Sequence, residues 1–210
     1  MTINDYSFRD LYHKYILIKN IDRKLNMYNM EFVCHEGDNA ILTYGYIDHE
    51  AGLTFEVLCF ANKNEAGGIE LRPGNESVSF KIRSGSIDGD IEIIPYDIRL
   101  MEFRDKVDMI NDAYAVSKEL ELIREHTSID NDRDKQFPDD VRAMLFKNGV
   151  QTELIWVRTE TIIDGKVAGV LINQPHSDAF GLKLGDMVKL VSIPLETRYA
   201  TVIETSDIYA

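Results

Sequence analysis

Apolar and polar positions change rhythm several times along the chain. In residues 6–21, Phe8, Leu11, Tyr12, Tyr15, Ile16 and Ile18 recur at short mixed spacings, which predicts a short amphipathic helix running into something less regular. From 27 to 94 the pattern turns to brief β-rich runs at 27–34, 40–47, 53–61, 77–83 and 90–94, separated by glycine- and asparagine-marked turns such as Asn64-Glu-Ala-Gly-Gly68. Strands this close together pair antiparallel, because a parallel crossover needs about a dozen residues or more. The expectation is a four- or five-stranded meander.

Pro95 ends that sheet and Asp97 opens a helical stripe. Leu100, Phe103, Val107, Ile110 and Tyr114 recur at 3 and 4, and Ala113, Val116, Leu120 and Ile123 continue the stripe. This predicts one helix over 97–126, about 45 Å long at 1.5 Å per residue. A face of that length could bridge two halves of the molecule or pair with a second copy to form a homodimer. Residues 127–138 are polar and aperiodic and mark a linker. Asp139 and Asp140 favour a helix start, with Val141, Met144 and Leu145 on its face. Strand-like runs follow at 152–161, 167–172, 187–193 and 199–203. The predicted fold class is therefore α+β: an N-terminal, mostly antiparallel β domain (1–96), a long connecting helix (97–126), a linker (127–138) and a small α+β domain with an antiparallel sheet (139–210).

Charge narrows the partners. The net charge is −13, which repels phosphate backbones and anionic lipid surfaces at long range. No nucleic-acid and no membrane partner is expected, and no segment approaches the ~20 apolar residues of a membrane span. Residues 1–138 hold 16 basic against 26 acidic side chains and 139–210 hold 7 against 10, so a charge-driven protein partner is expected on the first part. The two cysteines, Cys34 and Cys59, lie in apolar runs and read as free thiols of a reducing compartment. The acidic start, Met1-Thr-Ile-Asn-Asp5, is unlike a signal peptide, and a cytoplasmic location follows as the expectation.

Motifs for chemistry are sparse. Asp130, Asp132 and Asp134 alternate as in a calcium loop, but Lys135 and Val141 stand where that loop needs Gly and Glu. Cys34, His35, His49 and Cys59 match no zinc framework. Nucleotide-cradling glycine motifs are absent from the sequence. No metal and no cofactor is expected, and the catalytic residues are unknown.

The C-terminal third carries the recognisable pattern: Glu153-Leu-Ile-Trp-Val157, Asp164-Gly-Lys-Val-Ala-Gly-Val-Leu-Ile-Asn173-Gln-Pro175 and Phe180-Gly-Leu-Lys-Leu-Gly-Asp186. Over about residues 139–195 this resembles the uncharacterised bacterial YegJ-like domain family, although the family's aspartate-tryptophan ending is not evident near Tyr199. The resemblance implies an architecture and a bacterial source, and carries no activity.

The residues suggest roles of their own. Asp164-Gly165 fits a two-residue hairpin turn, while Gly181, Gly185 and Asp186 fit a loop with positive φ and an Asx-type turn. Trp156 is either a buried strand residue or a partly exposed binding residue. The polar loop with Asn173, Pro175, His176 and Asp178 follows a strand, where binding groups often lie. The leading expectation is a non-catalytic protein acting by protein–protein contact, as an inhibitor- or immunity-like acidic binder. The rival is a small-molecule-binding protein or hydrolase-type enzyme with an inter-domain site using His126 or His176.

Overall fold

The computed structural model describes residues 1–20, 37–73 and 79–205, and the chain divides into two compact units, Met1–Ala115 and Val116–Ala210. The first begins with a short 3-10 turn, Ile3–Asp5, and a one-turn helix α1 (Phe8–Leu11). Ser7 caps α1 reciprocally with Asp10: the Asp10 carboxylate accepts the Ser7 N–H at 2.8 Å and the Ser7 hydroxyl accepts the Asp10 N–H at 3.3 Å. His13, at φ +57°, then turns the chain into β1 (Tyr15–Lys19). The short helix expected at the start of this stretch is thus a single turn, and the less regular part after it is a strand. Ile16, Leu17 and Ile18 are all buried, on alternating faces, which a helix stripe cannot achieve.

Strands β2 (Ala40–Asp48), β3 (Gly52–Lys63), β4 (Ile69–Pro73), β5 (Lys81–Arg83) and β6 (Ile91–Ile94) complete the sheet. Its order is β4-β3-β2-β1-β6 with β5 also on β3, and every pairing is antiparallel. Both faces are covered. Ile16, Ile41, Ile47, Phe55 and Val57 pack under Leu11, and Leu17, Leu42, Tyr44 and Tyr46 pack under Leu100, Phe103, Val107 and Ile110. The first of these packings needs a glycine in β2, since a Cβ on Gly45 would lie 2.3 Å from the Leu11 carbonyl oxygen. The run expected at 27–34 falls outside the described residues.

The expected 30-residue helix is overturned. Its span holds a 3-10 segment Ile98–Phe103, α2 (Arg104–Ala113) and α3 (Lys118–Glu125). Helix α2 closes at Tyr114, and the Ser117 hydroxyl accepts the Leu120 N–H at 3.1 Å to cap a new helix. The apparently continuous stripe is two faces serving two cores: Val107 and Ile110 join the sheet of the first unit, Leu120 and Ile123 the core of the second. A dimer through one long helix loses its structural basis. Among the described residues no helix is long and apolar enough to cross a membrane.

The second unit contains β7 (Asp140–Leu145), β8 (Glu153–Ile163), β9 (Lys166–Leu171), β10 (Met187–Pro194) and β11 (Tyr199–Ile203), closed into a barrel. Five strands in sequence reverse direction four times, so the first and last run the same way. Accordingly β11 meets β7 in parallel, at Val202 and Met144. The helix expected after Asp139 is strand β7, because Val141, Ala143 and Leu145 alternate into the core while Arg142 faces out. The segment 127–138 lies within this unit, with Ile129 in its core. Helix α3 is fastened to the barrel by Arg124, whose guanidinium donates to both Asp139 carboxylate oxygens at 3.0 and 2.8 Å, with both side chains almost fully buried. The predicted α+β class does not hold: among the described residues the chain is mostly β, with eleven strands and three short α-helices. With the division after Ala115, the first unit carries 12 basic against 20 acidic residues and the second 11 against 16, so the acidity is shared between them.

Candidate functional site

The site is built on the outward face of β7 and β8, where register sets Asp140 opposite Arg158, Arg142 opposite Trp156 and Met144 opposite Leu154. Trp156 is half-buried, with Ile155 and Val157 pointing into the core. Its backbone N–H donates to the Asn173 side-chain oxygen at 2.7 Å and its carbonyl accepts the Ile172 N–H at 3.0 Å. Both polar backbone groups of Trp156 therefore face β9. Toward β7 it forms the non-hydrogen-bonded kind of pair, in which opposed Cα atoms stand about 4.5 Å apart and side chains are closest. The indole and the Arg142 side chain share one side of a cleft of about 410 Å³.

The rest of the lining is residues 131–136, fastened through Asp132, Arg133 and Asp134. The Asp134 carboxylate accepts the Gln136 and Phe137 N–H groups at 2.8 and 3.0 Å, and the Asp134 N–H donates to the Asp140 carbonyl at 2.9 Å. Arg133 donates to the Asp130 carboxylate at 3.0 Å and to the Pro138 carbonyl at 2.6 Å. The Asp132 carboxylate accepts the Thr201 N–H of β11 at 2.9 Å. The three alternating aspartates that suggest a calcium loop in the sequence thus each serve a different local partner. Against this rigid wall, the Arg142 guanidinium, the Lys135 ammonium and the Trp156 indole N–H have no hydrogen-bond or ion-pair partner among the described residues.

The other expected site residues take mostly architectural places. Asn173 continues the β8–β9 ladder by its bond to Trp156. Pro175 is buried, and none of Pro175, His176 and Asp178 lines the Trp156 cleft. The Glu153 carboxylate accepts the N–H groups of His176 at 2.7 Å and Ser177 at 2.9 Å and meets His176 Nδ1 at 3.3 Å. These contacts, the His176 backbone bond first, hold Glu153 below its ordinary pKa. The His176 side chain is 93% exposed. Asp178 starts a 3-10 turn that Gly181 ends at φ +72°. Asp164 and Gly165 both take positive φ between β8 and β9, and the Asp186 carboxylate accepts the Lys183 N–H at 2.7 Å beside Gly185 at φ +88°.

A second cleft of about 570 Å³ lies between the end of α3 and the barrel, with Leu122, Ile162, Val167 and Val191 in its lining. There the Ser128 hydroxyl stands 2.9 Å from His126 Nε2 and 2.9 Å from the Ser192 hydroxyl. Cys59 is buried, and burial raises its thiol to about 12, so it stays protonated and unreactive at neutral pH. Cys34 and His35 lie outside the described residues. Sequence reasoning missed Arg142, Lys135, Gln136 and Asn131 as cleft residues. Only the β7–β8 register brings Arg142 to Trp156, and the alternation of Val141, Ala143 and Leu145 is the signal that could have set that register.

Comparison of the chain with protein-family models, curated proteins and solved structures finds no match.

Proposed function

We propose that this chain is a cytosolic bacterial binding protein without catalytic activity, and that its C-terminal barrel, with the YegJ-like turn pattern, presents the surface that meets a protein partner. The observation that carries this reading is Trp156: a single tryptophan held on a strand, partly open to solvent, with an indole N–H and an arginine across from it that have no partner among the described residues. Tryptophan and arginine in a pre-formed concavity are the side chains that dominate binding energetics when a partner covers them. The acidity of both units supports a partner with a basic surface around that contact. The test compares partner capture by the wild-type protein and by Trp156→Ala, followed by calorimetry on the captured protein. A partner bound by the wild type and at least about tenfold weaker by the variant supports the reading; identical capture by both overturns it.

A second reading is favoured by Ser128, whose hydroxyl lies between His126 and Ser192 as a nucleophile beside a base would. It makes the other cleft a hydrolase-type site within the barrel unit. Labelling of Ser128 by a fluorophosphonate, abolished in His126→Ala, supports it, and an unlabelled Ser128 removes it.

A further inference from the structure

Resting on the reading of Trp156 as a binding residue, we propose that the Trp156 cleft takes an organic monocarboxylate attached to a flat or apolar group. Arg142 and Lys135 hold the carboxylate and the indole face carries the apolar body. The charge in the lining decides the class of anion. Arg133, Lys135 and Arg142 stand against Asp132 and Asp134, a net charge of +1 in a unit whose own balance is negative. A monoanion neutralises that excess. A phosphate dianion would overcharge the cleft and face two carboxylates already fixed in its wall. A neutral ligand would leave Arg142 and Lys135 without a counter-charge.

The donors fit the same class. Arg142 presents a planar fork that matches a carboxylate through two parallel N–H···O bonds. Lys135 adds a point charge from the 131–136 segment, and Asn131 and Gln136 also line the cleft. The volume of about 410 Å³ suits one ring or one apolar side chain with its acid group. Because residues 131–136 are already fixed to Thr201, Asp140 and Pro138, binding does not have to order that wall. Such a carboxylate has two sources: a free aromatic or branched acid, or the C-terminus of a polypeptide ending in an apolar residue.

The chain contains one tryptophan, so selective indole excitation reports this cleft directly. The titrants are hydrocinnamate, N-acetylphenylalanine, N-acetylphenylalanine amide, acetate and inorganic phosphate. Expected are saturable changes with hydrocinnamate or N-acetylphenylalanine and about tenfold weaker binding of the amide and of acetate. Added salt should weaken binding. Arg142→Gln should weaken it at least about tenfold, Arg142→Lys less, and Lys135→Gln less again. Both residues are exposed and have no partner among the described residues, so these variants should keep the wild-type thermal midpoint. Tighter binding of N-acetylphenylalanine than of hydrocinnamate assigns the site to chain termini, and the reverse order assigns it to free acids. No saturable response to either carboxylate, equal binding by Arg142→Gln, or tighter binding of phosphate overturns the proposal. If partner capture still depends on Trp156 in that event, the ligand class alone has failed and the binding reading stands.

Discussion

The two units use β-structure in opposite ways. In the first, β2 and β3 are buried along almost their whole lengths because α1 covers one face of the sheet and α2 with the preceding 3-10 segment covers the other. In the second, closing the sheet on itself places one face of every strand inside and turns the other outward, where Leu154 is 59% and Met187 49% exposed. A sheet covered twice has no strand face left for a ligand. A barrel offers every second residue of five strands, and register alone decides which side chains meet there. The same difference explains the burial patterns: near-continuous buried runs in β2 and β3, and from Val141 to Leu145 in β7 buried residues that alternate with more exposed ones.

The contrast can be broken most forcefully at buried positions. Phe55→Ala, which empties a fully buried place in the first sheet, should cost about 3–5 kcal/mol, read as a shift of the urea midpoint at unchanged m-value. Its counterpart in the barrel is polar: Arg124→Met leaves Asp139 buried without its cation and should also cost about 3–5 kcal/mol, whereas Arg124→Met with Asp139→Leu should recover most of the loss. Such recovery would set fold stability in the barrel apart from charge as such. Next in size is Gly169→Ala, whose Cβ would come 2.1 Å from the Arg158 carbonyl oxygen and should cost about 1–3 kcal/mol in thermal melts. By contrast, Leu154→Ala on the outward face should stay within about 0.5 kcal/mol of wild type.

The smallest effect is local and pH-dependent. The His176 and Ser177 N–H bonds hold the Glu153 carboxyl below the ordinary glutamate value of 4.5, so its hold on that backbone is complete above this value and is lost as pH falls through the lower folded value. Amide exchange at His176 and Ser177, corrected for intrinsic rates, should accelerate on acidification below that point, and Glu153→Gln should abolish the pH dependence.

Strands bounded by turn residues were legible: β2, β3, β8, β9, β10 and β11 begin and end close to the Gly-, Asp- and Pro-marked breaks that frame them. Elements whose pattern served two masters were not. The stripe from Leu100 to Ile123 satisfies a single helix arithmetically, and only the cap at Ser117 and the allegiance of each half to a different core reveal the break. In β7, Val141, Met144 and Leu145 mimic a helix face because Ala143, the third inward residue, is small and carries little weight in such a pattern. Trp156 could be singled out as the lone indole. Its surroundings could not, since Arg142 is set beside it by cross-strand register and Lys135 belongs to a wall whose own Asp132 side chain is fastened to the distant Thr201 backbone.

Asp132 joins two matters that seem separate. Beyond the parallel pair at Val202 and Met144, its carboxylate on the Thr201 N–H ties the last strand to the 3-10 turn Asp130–Asp132, and the same residue stands in the wall of the Trp156 cleft. The wall of the Trp156 cleft is therefore tied to the seam of the barrel. Peeling β11 away, by mechanical pulling from its end or by trimming the chain before Tyr199, would release Asp132 and loosen the cleft without removing any side chain that lines it.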